Sequence, residues 1–114
     1  MYTLYGISNC DTVRKARKWL EEHGIKYCFH DFRKEGTELE LLKSWVEELG
    51  LEQLLNTRGT TWRKIPESKK KHLSPEKAVQ LMQEFPSVIK RPVLDTGQKR
   101  HLGFSGKAYE NLDL

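Results

Sequence analysis

Residues 2–30 read YTLYGISNCDTVRKARKWLEEHGIKYCFH, and this opening stretch decides the fold. The apolar run Tyr2-Thr3-Leu4-Tyr5 predicts a strand. A helix is expected from about Thr12 to His23, because apolar residues recur there at helical spacing. The alternating segment from Ile25 to His30 predicts a second strand. A strand, a helix and a strand in this order form a right-handed crossover unit, so we expect the two strands to be parallel.

Cys10 stands between the first strand and the first helix, which we expect to begin at Asp11 or Thr12. A side chain at that position lies beside unpaired N–H groups and the positive end of the helix dipole. Both favour a thiolate over a thiol, and the thiolate is the nucleophilic form of cysteine. Cys10 is therefore the candidate catalytic residue, and the structural alternative is a small buried core side chain.

The chain contains two cysteines, Cys10 and Cys28. A thioredoxin-type CxxC motif would place its second cysteine at the position of Val13, so a local dithiol mechanism is excluded. Cys28 lies in the predicted second strand, where we expect a small packed side chain rather than a partner for Cys10. Disulfide chemistry at Cys10 is then expected to use a thiol from outside the chain.

The centre of the chain predicts helices. Thr37-Glu38-Leu39-Glu40 matches a capping box at the start of an amphipathic helix. The segment from Leu51 to Leu73 predicts short irregular helices, with a loop at residues 56–59. Ser74 is the expected N-cap of a further helix that ends at Pro86.

The last part of the chain predicts an antiparallel hairpin, because residues 92–95 and 99–102 flank Thr96-Gly97. Ser105 is expected to cap a final helix. A parallel and an antiparallel pair of strands together make an α/β fold with a mixed four-stranded sheet and helices on its faces. At this length we expect one domain over residues 1–114, with a helical insertion at about 37–85 between the βαβ and ββα halves.

Charge is distributed unevenly along the chain, whose net charge is +4. Residues 36–55 hold five glutamates and one lysine, whereas residues 58–72 hold six Lys or Arg and one glutamate. The basic stretch indicates attraction for small oxyanions, glutathione carboxylates or nucleic-acid phosphates, or else a solvated face. Nucleic acid is the least favoured partner, because no recognition motif is present. The four histidines show no metal-ligand spacing with one another or with the cysteines, so we expect no metal.

No apolar run approaches membrane-spanning length, and the N-terminus lacks the pattern of a signal peptide. Two cysteines fit a reducing compartment. We therefore expect a cytoplasmic protein without membrane contact.

Three segments resemble the signature segments of the arsenate reductase and Spx family, which has a thioredoxin-like fold. They are NCDTVRKA from Asn9 to Ala16, LLNTRG from Leu54 to Gly59, and IKRPV from Ile89 to Val93. Within this family, RGTTWRK from Arg58 to Lys64 is similar to the YffB group of small reductase-like proteins. The resemblance spans essentially the whole chain and implies a thioredoxin-like arrangement of the mixed four-stranded sheet.

The resemblance also implies roles for individual residues. In this family a single cysteine attacks an oxidised substrate, which here is the role of Cys10. Arg58 and Arg91 are expected to bind the anion or the carboxylates of glutathione, since guanidinium groups offer forked donors. Pro92 stands where the fold has a cis X-Pro bond facing the thiol. Four neighbours of the thiol are expected to support it: Asn9, Thr12, Arg14 and Lys15. Thr12 is alternatively a helix cap.

The chain departs from family patterns at two places. Arsenate reductases carry a third arginine just before the last helix, where this chain has Leu102-Gly103-Phe104-Ser105, so we expect weaker oxyanion binding. Regulators of the Spx type often carry a CxxC motif, whose second position here is Val13. These departures favour a glutathione-dependent thiol reductase over both alternatives. The alternatives are an Spx-like regulatory module that binds a protein partner such as RNA polymerase, and a true arsenate reductase.

The favoured interpretation specifies what the protein binds. Glutathione is the expected co-substrate, with no tightly bound cofactor and no metal. Glutathione or a glutaredoxin-type protein is the expected reductant, and the substrate is a small oxidised thiol or an oxyanion. We expect a monomer.

Overall fold

The computed structural model describes all 114 residues. The helices and strands, in chain order, are β1 (Tyr2–Gly6), α1 (Asp11–Glu22), β2 (Tyr27–Asp31), α2 (Phe32–Glu35), α3 (Leu39–Leu49), α4 (Leu51–Leu54), α5 (Thr60–Lys64), α6 (Glu67–Lys70), α7 (Pro75–Glu84), a 3-10 turn (Pro86–Val88), β3 (Val93–Asp95), β4 (Arg100–Leu102) and α8 (Gly106–Glu110). The chain divides into two compact units. Unit 1 consists of Met1–Glu35 and Arg91–Leu114, and unit 2 consists of Gly36–Lys90. The single domain over residues 1–114 stays a prediction.

Unit 1 contains a four-stranded sheet in the order β2-β1-β3-β4. β1 and β2 are parallel, and Gly6 is opposite Asp31. β3 runs antiparallel to β1, with Val93 opposite Tyr5, and β4 runs antiparallel to β3. The predicted α/β class with a mixed sheet is therefore confirmed. Because β1 and β2 end where β3 begins, residues that follow β1 and β2 or precede β3 meet at one end of the sheet, here called the Cys10 end.

The core of unit 1 lies between the sheet and helices α1 and α8. It is formed by Leu4, Ala16, Leu20, Leu94 and Tyr109, all at most 2% exposed. Burying each of the larger side chains contributes about 1.5–3 kcal/mol. The predicted apolar stripe of α1 is confirmed, since Val13, Ala16 and Leu20 are its buried residues. These contacts fix α1, and with it the turn that carries Cys10, against the sheet.

The second strand begins later than predicted, at Tyr27 instead of Ile25. The N–H of Ile25 donates to the carbonyl of Leu20 at 2.9 Å, so Ile25 belongs to the turn that ends α1. Gly24 allows this turn because its φ is +67°, in the left-handed region. The strand also continues one residue beyond the predicted His30, to Asp31.

Unit 2 is helical, as predicted, and α3 and α7 contact each other within it. Its buried apolar residues are Leu42, Trp45, Leu54, Ile65, Ala78, Val79, Leu81, Met82, Val88 and Ile89. The predicted N-cap of α7 is confirmed, because Ser74 Oγ accepts from the N–H of Lys77 at 3.2 Å. No helix of either unit is long and apolar enough to cross a membrane.

The capping box predicted at Thr37 is wrong. α3 begins at Leu39 with Glu38 as its N-cap, and no side chain caps it. The Thr37 hydroxyl is buried without a hydrogen-bond partner. Instead, the Thr37 carbonyl accepts from the side-chain amide of Gln83 in α7 at 2.8 Å. Thr37 thus lies two residues before the first residue of α3, whereas an N-cap lies one residue before it. The contact with α7 holds the backbone of Thr37 at this position.

Candidate active site

Cys10 is the N-cap residue of α1, as predicted. Its carbonyl accepts from the N–H of Arg14 at 2.9 Å, and its own N–H donates to the carbonyl of Ile7 at 3.3 Å. The thiol is half-buried, forms no disulfide and makes no capping hydrogen bond. The N–H groups of the first turn of α1 are therefore not occupied by this side chain and can stabilise a negative charge on sulfur.

Charged neighbours of the thiol pair with each other. The guanidinium of Arg14 lies 2.9 Å from the carboxylate of Asp11, and both side chains are exposed. An exposed pair of this kind adds little to stability, but it offsets the negative charge next to Cys10. The other three predicted supporting residues are exposed: Asn9, Thr12 and Lys15. The alternative that Thr12 caps the helix is wrong, because Cys10 occupies the cap position.

Arg91 and Pro92 directly precede β3 and therefore lie at the Cys10 end of the sheet. The peptide bond between them is cis. Pro92 is buried, and its carbonyl accepts from the N–H of Gly103 at 2.9 Å, which joins the entry of β3 to the exit of β4. Arg91 is half-buried. The topology of unit 1 thus brings Arg91 and Cys10 to the same end of the sheet.

Arg58 lies in unit 2, in the predicted loop between α4 and α5, and its side chain is exposed. Its N–H donates to the side chain of Asn56 at 3.2 Å. The N–H of Asn56 in turn donates to the carbonyl of Val88 at 2.7 Å. Asn56 therefore gives the loop a defined conformation within unit 2. The role of Arg58 in binding an anion stays a prediction.

Asp31 is a residue of this region whose role the sequence pattern does not predict. It ends β2 and is only 4% exposed. Its Oδ1 accepts from the N–H of Arg33 at 2.8 Å and of Lys34 at 3.4 Å, while its Oδ2 accepts from the N–H of Ser8 at 3.3 Å. Burial tends to raise the pKa of Asp31, but these hydrogen bonds together outweigh burial and lower the pKa below its ordinary value of 3.8. Asp31 therefore stays ionised at neutral pH.

One signal of Asp31 was present in the sequence. Aspartate is among the preferred residues just before a helix, since its carboxylate accepts from the first N–H groups. The alternating pattern predicts that the second strand ends at His30, and residues 31–36 show no pattern that indicates a helix. The four-residue helix α2, which Asp31 precedes, is too short to show an apolar period.

Cys28 is exposed, so the prediction that it is packed is wrong. It lies on β2, which is an edge strand, and its Sγ is 3.1 Å from the Sδ of Met1, itself an exposed residue. Cys28 is opposite Thr3, three residues before the Gly6–Asp31 pair. Three strand residues span about 10 Å, and a disulfide needs Cα atoms within about 7 Å. Since Cys10 lies beyond that pair, an internal disulfide does not fit this geometry.

The site is thus a single thiol at a helix N-terminus, at the end of a mixed sheet where an X-Pro bond is cis. The chain belongs to the ArsC family, whose sequence profile matches residues 5–112. The resemblance to the arsenate reductase and Spx family, with its thioredoxin-like fold, is therefore confirmed.

Individual relatives agree with this assignment. A solved structure of a YFFB protein is 47% identical, with a TM-score of 0.92 and 96% of each chain covered, which supports the YffB-like subgroup. An arsenate reductase (ArsC) related protein from Brucella melitensis is also 47% identical, with a TM-score of 0.77, over 99% of this chain and 95% of that one. The global transcriptional regulator Spx of Enterococcus faecalis is 31% identical over 92% of this chain and 80% of its own length.

Proposed function

We propose that the protein is a glutathione-dependent thiol reductase that uses Cys10 as its nucleophile. The observation that carries this proposal is the half-buried, unpaired thiol at the N-cap of the twelve-residue helix α1. Membership of the ArsC family and similarity to an arsenate reductase-related protein support an oxidoreductase. The distance of Cys28 from this site supports a mechanism in which a second thiol comes from solution.

The reaction consists of two thiol–disulfide exchanges. In the first, the Cys10 thiolate attacks the glutathione sulfur of a mixed disulfide. A bond forms between Cys10 and glutathione, and the substrate leaves as a thiolate that takes up a proton from water. In the second, the thiolate of another glutathione attacks the glutathione sulfur on Cys10. Oxidised glutathione leaves, and the Cys10 thiolate is restored.

Two arginines supply the binding energy for an anionic substrate. Arg91 lies at the Cys10 end of the sheet, and its guanidinium suits a glutathione carboxylate. The family resemblance assigns the same function to Arg58. Charge-assisted hydrogen bonds of this kind contribute about 1.5–3 kcal/mol each.

A disulfide is favoured over arsenate as the substrate. Arsenate reductases place a third arginine just before the last helix, where this chain has an apolar segment. Phe104 packs edge-on against Tyr109, with ring centroids 4.7 Å apart, and so is partly buried against the core of unit 1. The N–H of Gly103 donates a hydrogen bond to the carbonyl of Pro92 and is therefore not available to an oxyanion. This segment therefore holds the fold together and offers no guanidinium to an oxyanion.

The direct test is turnover of the mixed disulfide of cysteine and glutathione, with glutathione as the reductant. The wild type and Cys28→Ser are expected to be active, and Cys10→Ser is expected to be inactive. Cys28→Ser is the matched control because it also removes one unpaired thiol. Equal rates for Cys10→Ser and the wild type would contradict the proposal.

A second candidate function is a regulatory module that binds a protein partner, as the similarity to Spx suggests. The test is direct binding to purified RNA polymerase. Stoichiometric binding that persists in Cys10→Ser, together with no disulfide turnover, would favour this function. If turnover depends on Cys10 and the protein does not bind the polymerase, the result supports the reductase.

A further inference from the structure

A buried carboxylate links the turn that carries Cys10 to the neighbouring strand. β1 and β2 are parallel and end together at the Gly6–Asp31 pair, so the residues after the two strands lie side by side. Ser8 is two residues beyond Gly6 and two before Cys10. Its N–H donates to Oδ2 of Asp31 at 3.3 Å. Asp31 is therefore the contact between β2 and the thiol turn.

The two carboxylate oxygens of Asp31 have separate partners. Oδ1 accepts from the N–H groups of Arg33 and Lys34 and so orders the start of α2. Oδ2 accepts from Ser8. An aspartate that served only as a helix cap would need one oxygen, so the second oxygen has a different function. Asparagine at this position would keep one acceptor and lose the other, because its amide nitrogen only donates.

The turn between β1 and α1 has few other attachments. Ile7 is buried, whereas Ser8 and Asn9 are exposed. The N–H of Cys10 donates to the carbonyl of Ile7 at 3.3 Å, which closes the turn on itself. The contact from Asp31 therefore holds the exposed middle of the turn, two residues before Cys10.

We propose that Asp31 is a positioning residue for Cys10, which holds the Ile7–Cys10 turn through Ser8 so that the thiol keeps its place at the N-terminus of α1. This inference rests on the proposed reductase function. Asp31 does not touch the reacting atoms and is not itself a catalytic residue. Small displacements of a nucleophile lower reaction rates strongly, so loss of this contact should slow attack by Cys10.

Charge and geometry predict opposite effects of removing Asp31. A carboxylate near Cys10 disfavours a thiolate, so loss of the charge alone would make Cys10 react faster. Loss of the hydrogen bonds would make Cys10 react more slowly. Asp31→Asn distinguishes these effects, because it removes the charge and one acceptor with almost no change in volume.

The experiment measures the rate of reaction with oxidised glutathione at Cys10 and at Cys28 in the same molecule. Cys28 is exposed and serves as an internal reference for protein and glutathione concentration, and the free energy of unfolding of each variant, measured in urea, shows whether the fold itself is loosened. Asp31→Asn is expected to lower the Cys10 to Cys28 ratio about tenfold, the effect of losing one hydrogen bond to a charged group. An unchanged or higher ratio would overturn the inference.

Glu35→Gln is the matched control. The carboxylate of Glu35 accepts from the N–H of Asp31 at 3.0 Å, and glutamine keeps such an acceptor. This variant removes the same charge from the same segment without touching Ser8. Its ratio is expected to stay within about twofold of the wild type, since a lost surface charge has little effect. A tenfold loss in Glu35→Gln would show that any change in this segment slows Cys10, whether or not the contact with Ser8 is kept, and would overturn the inference.

Two further measurements separate the outcomes. Ser8→Pro, which removes the N–H that donates to Asp31, covers the case in which Asp31→Asn does not fold; an unchanged Cys10 to Cys28 ratio in this variant would then count against the inference. Hydrogen exchange of the Ser8 and Cys10 amides tests the contact without any reaction. Faster exchange in Asp31→Asn than in Glu35→Gln supports it, and equal exchange overturns it. A wild type whose Cys10 does not react at all contradicts the reductase and leaves this exchange result to decide on Asp31.

Discussion

Gly6 lies directly beneath Val13, and a Cβ atom at Gly6 would stand 2.7 Å from the Cγ2 atom of Val13. Real Cβ contacts are not this short, so β1 and α1 can approach only because residue 6 is glycine. This approach sets the height at which α1 begins above the sheet, and therefore where Cys10 lies.

Gly6→Ala is expected to lower the free energy of unfolding by about 1–3 kcal/mol, the usual effect of inserting an extra methyl group into a full core. Unfolding in urea measures this loss. The control is Gly106→Ala, whose new Cβ meets nothing closer than 3.8 Å and lies at the start of α8. Adding Val13→Ala to Gly6→Ala should recover part of the stability, and a double variant no more stable than Gly6→Ala would contradict this account.

The hydroxyl of Tyr109 is buried in the core of unit 1 without a hydrogen-bond partner. Tyr109→Phe removes an unsatisfied polar group and is expected to raise the free energy of unfolding by about 1 kcal/mol. Tyr27→Phe is the control, because its hydroxyl accepts from Arg17 at 3.1 Å and donates to Glu21 at 3.2 Å. Urea unfolding of both variants measures the effect. A lower free energy of unfolding in Tyr109→Phe than in the wild type would show that the Tyr109 hydroxyl does have a hydrogen-bond partner.

Burial also raises the pKa of Tyr109 well above its ordinary value of 10.0. In alkaline solution the unfolded chain releases this proton while the folded chain keeps it, so rising pH favours unfolding. Above pH 10, this one group should reduce the free energy of unfolding by up to about 1.4 kcal/mol per pH unit. Urea unfolding at pH 9, 10 and 11 should show a shallower decline in Tyr109→Phe than in the wild type. Parallel declines would refute the assignment.

Ser74 caps α7, and Ser74→Ala is expected to lower the free energy of unfolding by about 1 kcal/mol. Glu38, the N-cap of α3, makes no capping hydrogen bond. Glu38→Gln should therefore leave the free energy of unfolding within about 0.5 kcal/mol of the wild type. Thermal unfolding of both variants compares the two losses of stability. A larger loss in Glu38→Gln than in Ser74→Ala would contradict this prediction.

If Arg58 and Arg91 each bind a glutathione carboxylate, as proposed, replacing either one should lower the affinity for the substrate rather than the rate of the chemical step. Arg58→Ala and Arg91→Ala should each raise KM for a glutathione mixed disulfide about tenfold or more, and kcat should change less. Arg63→Ala, which removes an exposed arginine from the neighbouring helix α5, is the control. An effect of Arg63→Ala as large as that of Arg58→Ala would indicate general attraction by the basic stretch instead of a defined site.

The sequence predicted the mixed sheet because its signals are local and strong. The stripe on α1 and the turn at Thr96-Gly97 each depend on a few adjacent residues, and the parallel pairing of β1 with β2 follows from the order strand, helix, strand. Ser74 and Ser105 were identified for the same reason, since a cap acts within three residues. The N-cap position of Cys10 could also be predicted, because it depends only on where the first strand ends and the first helix begins.

What the sequence did not predict depends on contacts between distant residues. Thr37 has the residue type of a cap, but its backbone is held by Gln83 in another helix. Cys28 alternates like a packed strand residue, yet it lies on the face of β2 opposite to Tyr27 and Phe29, which pack against the core, and its side chain is exposed. The bond from Ser8 to Asp31 joins residues 23 apart and appears only once β1 and β2 are paired.

The central claim is that Cys10 is a nucleophile which accepts glutathione. The most direct measurement is mass spectrometry after brief mixing with oxidised glutathione at pH 7, with the modified peptides mapped over time. We expect one glutathione on the peptide that contains Cys10, formed at least about tenfold faster than on Cys28, because Cys10 lies beside the unpaired N–H groups at the start of α1. A protein that acquires no glutathione at Cys10, or acquires it no faster than at Cys28, would contradict this account.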